Sequence, residues 1–212
     1  MRTFQFFGGL TARVETSQKV VALTMDDAPS PTSHEVVQLL ADKGVKTTFY
    51  MIGNNIQQYP HEAQEIATAG NEIGNHSYSH MRFYLVPLTT IDTEIQTTNT
   101  LIRGTGYQGP ITFRPPNGKK LFLLPWYLHE HHMETIMWDV EPDTYAAHIA
   151  AALTQYTLDH VRPGSIILLH PFCGTACAAD RAALPAIIDA LRAKGYKLVT
   201  VSELLKYKNV GK

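Results

Sequence analysis

Val20-Val21-Ala22-Leu23-Thr24-Met25-Asp26-Asp27-Ala28-Pro29 decides how this chain folds. Val20 to Met25 reads as a buried β-strand, and it ends on two adjacent carboxylates. Pro29 and Pro31 forbid its continuation, and Ser33 is a suitable N-cap for a helix. Val36, Val37, Leu39 and Leu40 give that helix an apolar face, and Gly44 stops it. The same strand-then-helix alternation runs on to the C-terminus. Further strands are predicted over 47–52, 72–75, 111–114, 134–140, 165–170 and 197–201. Between them, helices are predicted over 60–69, 91–104, 121–130 (interrupted at Pro125) and 146–160. Another is centred on Leu184, Ile187, Ile188 and Leu191, whose spacing is the cleanest amphipathic pattern in the chain. Seven strands alternating with helices predict an α/β fold of parallel β/α units. Asp26-Asp27, His76 and His80, Arg114, Asp139 and His170 all fall at the C-terminal ends of strands, which is the active-site rim of a (β/α) barrel.

The bulk properties fit one globular domain. The chain has 212 residues, 44% hydrophobic and 17% charged, with a net charge of −1. No basic run points to nucleic acid or to an anionic membrane surface. No apolar run approaches the roughly 20 residues needed to span a bilayer. The apolar N-terminal stretch is short and broken by Gln5, so it does not read as a secretory signal. The expectation is action in the cell envelope or outside the cell, with a signal or anchor lying outside this sequence; a cytoplasmic location is the alternative.

The chemistry is concentrated in Asn75-His76-Ser77-Tyr78-Ser79-His80 and in Asp26-Asp27. Four residues apart on a helical turn, the His76 and His80 rings would share one face and could close on one ion. Two His and one carboxylate leave positions open for water and substrate, as catalytic zinc sites do. Of the two carboxylates, one can ligate while the other accepts a proton from water. Arg114 could pair with that base and keep it ionised. His170 is a candidate general acid, and a carboxylate beside it would favour the imidazolium. Asp139, Glu141 and Asp143 all remain candidates for that carboxylate.

These residues resemble a known family. From about Val20 to Leu205 the chain is similar to the polysaccharide deacetylases of the NodB-homology type (carbohydrate esterase family 4), which remove N-acetyl groups from chitin-like sugars or peptidoglycan. Thr24-Met25-Asp26-Asp27-Ala28-Pro29 looks like the family's T-F-D-D-G-P, and His76-Ser77-Tyr78-Ser79-His80 matches H-S/T-x-x-H. Arg114-Pro115-Pro116-Asn117-Gly118 looks like R-P-P-Y-G. Trp138-Asp139-Val140-Glu141-Pro142-Asp143 resembles the acidic fourth motif, and Leu168-Leu169-His170 the family's L-x-H. The resemblance implies a distorted, seven-stranded (β/α) barrel of the NodB-homology type. It divides the chain into an N-terminal extension packed on the barrel (1–19), the catalytic domain (20–205) and a tail (206–212).

The resemblance further implies Asp26 as base, Arg114 as its orienting partner, His170 as acid, and Asp27, His76 and His80 as ligands to one divalent ion. Zinc is the default ion, with Co2+, Ni2+ or Fe2+ as alternatives. Asn117 would supply a backbone N–H to the oxyanion, while Tyr145 and Leu168 would line the acetyl pocket. The implied substrate is an N-acetylated amino-sugar polymer or oligomer. Rival functions are a same-fold amidohydrolase acting on another small amide, and a carbohydrate-binding homologue with weak catalysis. Three departures stand out. Ala28 replaces Gly, at a cost of about 1 kcal/mol if the position needs a positive φ, although the following Pro favours an extended backbone that Ala accepts. Asn117 replaces Tyr, and Thr144-Tyr145 stands where the family often has Asp-Trp.

Three features read as bystanders. His129, His131 and His132 suit a solvated helix end. Cys173 and Cys177 suit free thiols or a local disulfide better than a metal site, and a disulfide would imply an oxidising compartment. Phe4, Phe6 and Phe7 suit an N-terminal tie to the barrel.

Overall fold

A computed structural model describes residues 3–208. The part of the expected tail from residue 209 onward therefore lies outside the described residues. The strands are β1 (Leu10–Thr11), β2 (Val20–Ala28), β3 (Thr48–Met51), β4 (Glu72–Asn75), β5 (Thr135–Ile136), β6 (Ile166–Leu169) and β7 (Lys197–Val199). The helices are α1 (Ser33–Asp42), α2 (Gly53–Gln58), α3 (Pro60–Thr68), α4 (Leu88–Gly104), α5 (Leu123–Glu130), α6 (Pro142–Tyr145), α7 (Ala150–His160), α8 (Ala178–Ala193) and α9 (Val201–Leu205).

The quoted stretch is the hub. Ala22 of β2 pairs with Ile166 on one edge and with Val199 on the other, so β6 and β7 lie on opposite edges. Thr24 to Ala28 pair with β3, and β3 pairs with β4, all in parallel. From β4 the circuit continues through bridges from Asn75 to Phe113 and from Phe113 to Thr135, and it closes on β6 through Val140 and Ile167. The predicted strand over 111–114 is thus reduced to a single bridge at Phe113. The strand predicted over 134–140 survives as a two-residue strand and a bridge at Val140. Around Phe113 the Thr112 carbonyl and the Arg114 N–H both bond to Asn75 of β4, and the pairing stops there because Pro115 and Pro116 follow. The result is a distorted seven-stranded barrel.

Alternation along β2 sorts its side chains. Val21, Leu23 and Met25 pack outward against Val36, Val37 and Leu40 of α1 and against Leu184, Ile187, Ile188 and Leu191 of α8. Val20 and Ala22 pack inward with Ile136, Trp138, Ile166 and Leu168. Thr24 and Asp26 continue that inward face toward the rim. Elsewhere the helices shift modestly from expectation. Pro125 lies in the first turn of α5, where its missing N–H has no intrahelical partner to lose, so it does not interrupt the helix. The helix expected over 146–160 begins later, as α7, and the separate short helix α6 precedes that range. Ala28 is extended and pairs with Met51, so it carries no left-handed strain.

The N-terminal segment joins the barrel through β1, which pairs in parallel with β5. Phe4, Phe6 and Phe7 stay exposed. A two-residue ladder satisfies backbone groups there without drawing those rings into the core.

Gly74 lets Tyr50 lie flat inside the barrel, because a Cβ at residue 74 would sit 2.3 Å from the Tyr50 ring. Overpacking of this kind costs about 1–3 kcal/mol. Gly74→Ala is therefore expected to lower the thermal midpoint by about 2–4 °C for each kcal/mol, measured by circular dichroism.

Candidate active site

Adjacent residues of a strand normally point to opposite faces, so Asp26 and Asp27 should not share a cleft. They do so because of a β-bulge. Asp26 pairs with Tyr50 and Ala28 with Met51, which leaves Asp27 as the extra residue. Asp27 adopts φ +70, a left-handed conformation that Asp tolerates better than most residues. Both carboxylates thereby line one cleft of about 360 Å³ with His76, His80, Asn117 and His170, a size suited to a small ligand.

His76 and His80 converge without a helical turn. Residues 76–80 form a loop with positive φ at Ser77 and His80, and the two rings lie 5.0 Å apart. Side chains do the work a helix was expected to do. Asn75 Oδ1 accepts the Ser77 N–H at 2.7 Å. Glu94 Oε2 accepts the Tyr78 and Ser79 N–H groups at 3.0 and 2.8 Å, and Glu94 Oε1 accepts the Ser79 hydroxyl. These bonds satisfy the loop's donors and compete successfully with helix formation. Glu94 was not singled out from sequence. Its signal is an acid on the buried face of α4, one residue from Ile95 and three from Ile91.

The Asp27, His76 and His80 ligand atoms lie within 4.8 Å of one another. Asp27 Oδ1 is 3.7 Å from His76 Nε2 and 3.4 Å from His80 Nε2, and it is buried with no hydrogen-bond partner. An orphaned carboxylate oxygen facing two imidazole nitrogens fits a cation held among them. His76 Nδ1 is 2.7 Å from the Arg114 carbonyl oxygen, which accepts its N–H and leaves Nε2 free to ligate. Burial lowers the pKa of both His, favouring the neutral form a ligand needs. Burial also raises that of Asp27, beyond what His76 offsets, and the neighbouring Asp26 adds to the rise.

Arg114 is fully buried. Its Nη1 donates to Asp26 Oδ1 at 2.7 Å and to Thr24 Oγ1 at 2.8 Å, and its Nη2 donates to the Met137 carbonyl at 3.2 Å. The guanidinium carbon stands 4.0 Å from the Tyr50 ring centroid. Burial alone would raise the Asp26 pKa, but Arg114, then His76 and His170, outweigh it and hold the carboxyl below its ordinary value.

Of the three carboxylates open as partners of His170, Asp143 occupies that place. Its Oδ2 lies 2.7 Å from His170 Nδ1 and accepts the His170 backbone N–H at 2.9 Å. Asp139 instead accepts from Ser165 Oγ and Ile166 N, and Glu141 accepts from Trp138 Nε1 and Thr144 Oγ1. Burial works against the His170 imidazolium, yet the Asp143 hydrogen bond and the charges of Asp26, Asp143 and Asp27 push the pKa up to about 9. Behind this pair, Asp180 is buried on α8, and burial together with Asp143 pushes it up to about 6.

The expected acetyl-pocket residues divide differently. Asn117 lines the cleft with φ +54, a conformation Asn accepts, but Leu168 is buried in the core beneath it. Tyr145 is half-exposed and stacks toward Tyr156, while Thr144 lines the cleft in its place. Trp138, Glu141 and Lys119 are further lining residues. His131 stacks on Tyr127, and the three-His cluster forms no ligand group among the described residues. Cys173 and Cys177 are joined in a disulfide.

Fold and site together define a β/α-barrel hydrolase with a candidate cation centre beside an arginine-paired carboxylate and a carboxylate-paired imidazole. Residues 13–136 match the family model described as polysaccharide deacetylase. A peptidoglycan-N-acetylglucosamine deacetylase from Bacillus cereus is 31% identical over 210 residues, 95% of each chain. A peptidoglycan N-acetylglucosamine deacetylase solved with a hydroxamate-type benzamide superposes with a TM-score of 0.88 at 28% identity, covering 93% of this chain and 92% of that one. A pseudoenzyme of the same esterase family from Bacillus anthracis superposes at 0.85 with 28% identity, covering 95% and 70%. The chain belongs to the polysaccharide deacetylase family and is a de-N-acetylase hydrolase of that metal-dependent class.

Removing the Arg114 charge leaves Asp26 easier to protonate. Arg114→Met is expected to shift the acid limb of kcat/KM to higher pH, and to cost about 3–5 kcal/mol of stability by orphaning a buried carboxylate, read by denaturant titration. Asp143→Asn removes charge that favours the imidazolium, so the His170 pKa falls and the basic limb moves to lower pH. Turnover of that variant should drop by about a hundredfold or more, measured across a full pH–rate profile.

Proposed function

We propose that this chain hydrolyses the acetamide of N-acetylglucosamine units in a chitin-like or peptidoglycan substrate, releasing acetate and leaving a free amine. The observation that carries this reading is the unpartnered Asp27 Oδ1 facing His76 and His80, in one cleft with Asp26 and His170. Asp27, His76 and His80 are the proposed ligands to one divalent ion. Their mixed oxygen and nitrogen donors favour zinc, with Co2+, Ni2+ or Fe2+ as alternatives. When bound, the ion polarises the acetamide carbonyl and lowers the pKa of a water toward about 7.

The remaining work falls to the chain's own groups. Asp26, kept ionised by Arg114, takes a proton from the attacking water as its oxygen bonds to the carbonyl carbon. The Asn117 backbone N–H donates to the carbonyl oxygen as negative charge develops there. His170 then gives its Nε2 proton to the nitrogen as the C–N bond breaks, and Asp143 stabilises the imidazolium until that step. The name of the Bacillus cereus relative supports peptidoglycan as a substrate and an extracytoplasmic site of action, and the Cys173–Cys177 disulfide fits an oxidising compartment.

Acetate release from soluble N-acetylglucosamine oligomers is expected, abolished by a chelator and restored by zinc. Asp26→Asn should keep its bound ion by elemental analysis and lose about 10²–10⁴-fold in turnover. His80→Ala should lose the ion. A fully active Asp26→Asn protein would remove the base assignment. Sugar binding without acetate release would favour a non-catalytic homologue, and release confined to other small amides the rival hydrolase.

A further inference from the structure

Six large apolar side chains that stand exposed on this protein, Phe4, Phe6, Leu85, Leu121, Phe122 and Leu123, meet on one surface beside the cleft. Phe6 stacks on Phe122 with ring centroids 4.2 Å apart, and Phe4 meets Phe6 edge-on at 5.0 Å. Phe122 is 53% exposed and Phe6 54%, so the stack buries neither ring. Leu85, at 91% exposed, shares an apolar crevice with Leu121, Phe122 and Leu123, whose floor is Phe83 and Val86. Trp126 stands one turn along α5 from Phe122, and it is exposed, as are Tyr84 and Phe7, the chain neighbours of Leu85 and Phe6. Gln5 Nε2 donates to the Phe7 and Gly9 carbonyls, so the one amide among residues 3–9 fixes the loop and does not offer itself to a ligand.

Charge is distributed just as unevenly. Residues 3–14, 81–91 and 113–129, which build this surface, contain no Asp or Glu. Of their five Lys and Arg, Arg114 is buried against Asp26 and Arg13 is tied to Glu15 and the Pro163 carbonyl, which leaves Arg82 and Lys119 exposed at its edge and Lys120 half-buried. The 83 and 120 segments are held side by side by a bridge between Phe83 and Lys120. The composition shows no basic run because these cations come from separate parts of the chain and meet only in the fold.

We propose that this face docks on an anionic lipid bilayer, with Leu85, Phe122 and their aromatic neighbours entering the headgroup boundary and Arg82 and Lys119 facing lipid phosphates. Protruding aliphatic and aromatic side chains ringed by Lys and Arg are the arrangement that binds such surfaces. A glycan platform would pair its aromatic faces with hydrogen-bonding side chains, and here the neighbours are leucines. A second copy meeting this face about a two-fold axis would bring like charges together. Both walls of the crevice run directly from the catalytic cleft, from His80 to Phe83 and from Lys119 to Leu121. Docking would therefore hold the cleft at the membrane edge. The proposal stands on this surface and does not depend on the deacetylase reading.

The test is co-sedimentation of the intact protein with vesicles of phosphatidylglycerol and phosphatidylcholine, against phosphatidylcholine alone. Binding is expected only with the anionic vesicles, weakening at high salt. The double variant Leu85→Ser/Phe122→Ser should bind about tenfold or more weakly, while keeping its circular dichroism melt and its acetate release from soluble oligomers. Arg82→Glu, read by sedimentation and melt alone, should also weaken binding. Absence of sedimentation, or equal binding by wild type and folded variants, overturns the proposal. So does a wild-type dimer that the double variant converts to monomer, or an aromatic surface protected by chitin oligomers but not by vesicles.

Discussion

The buried contact between Arg114 and Asp26 is the constraint on which the rest depends. A guanidinium with no exposure must have its charge balanced, and here the two Nη groups tie different segments while the buried Nε has no hydrogen-bond partner. Nη1 holds the C-terminal half of β2 through Thr24 and Asp26, Nη2 holds the Met137 carbonyl, and the guanidinium face rests on Tyr50 of β3. Thr24 Oγ1 in turn donates to the Ile167 carbonyl of β6. One cation thus closes a barrel whose ladder has thinned to single bridges at Phe113 and Val140. The same cation keeps Asp26 ionised in a place where burial alone would protonate it. The Arg114 backbone takes part as well, since its carbonyl fixes which His76 nitrogen faces the cleft.

Convergence of the remaining groups rests on local backbone departures. Without the bulge, Asp27 would follow Met25 outward and meet α1, and no cleft would hold both carboxylates. Without Asn75 and Glu94 absorbing the N–H groups of residues 77–79, the loop would lack partners for its left-handed turns. Tolerance of positive φ by Asp, Asn and His at Asp27, Asn117 and His80 is the common thread. Strained or unusual backbone at a functional site is sustained by surroundings that over-determine it, and here those surroundings are hydrogen-bonded on nearly every side.

How much of this was legible in the sequence follows from how local each signal is. The Val20–Met25 run and the Leu184–Leu191 spacing report burial directly, and both elements stand where they were expected. The strand over 111–114 looked equally sound, but pairing is a property of two segments, and only Phe113 finds partners. A four-residue His spacing suggested a helix because spacing carries no information about Glu94, eighteen residues beyond His76. The choice among Asp139, Glu141 and Asp143 turned on which carboxylate reaches over β6. Asp139 spends both oxygens on Ser165 and Ile166 at the strand's start, and Asp143, lifted by α6, meets His170 at its end. Leu168 was legible as apolar, but strand alternation sends it into the core.

Asp26 and His170, the proposed base and acid, show how one cleft can hold a lowered carboxyl pKa and a raised imidazole pKa together. Both are buried, and burial discourages the charged form of each. Arg114 reverses that penalty for Asp26, and Asp143 reverses it for His170, so the carboxyl is driven down while the imidazole is driven up. Each charge also supports the other across the cleft. Asp180 lies behind Asp143, and burial together with the Asp143 charge drives its own pKa up to about 6, so the carboxylate that faces the imidazole is Asp143. A base with Arg behind it and an acid with carboxyls behind it are therefore products of where β2, β6 and α8 end, more than of the residue types alone.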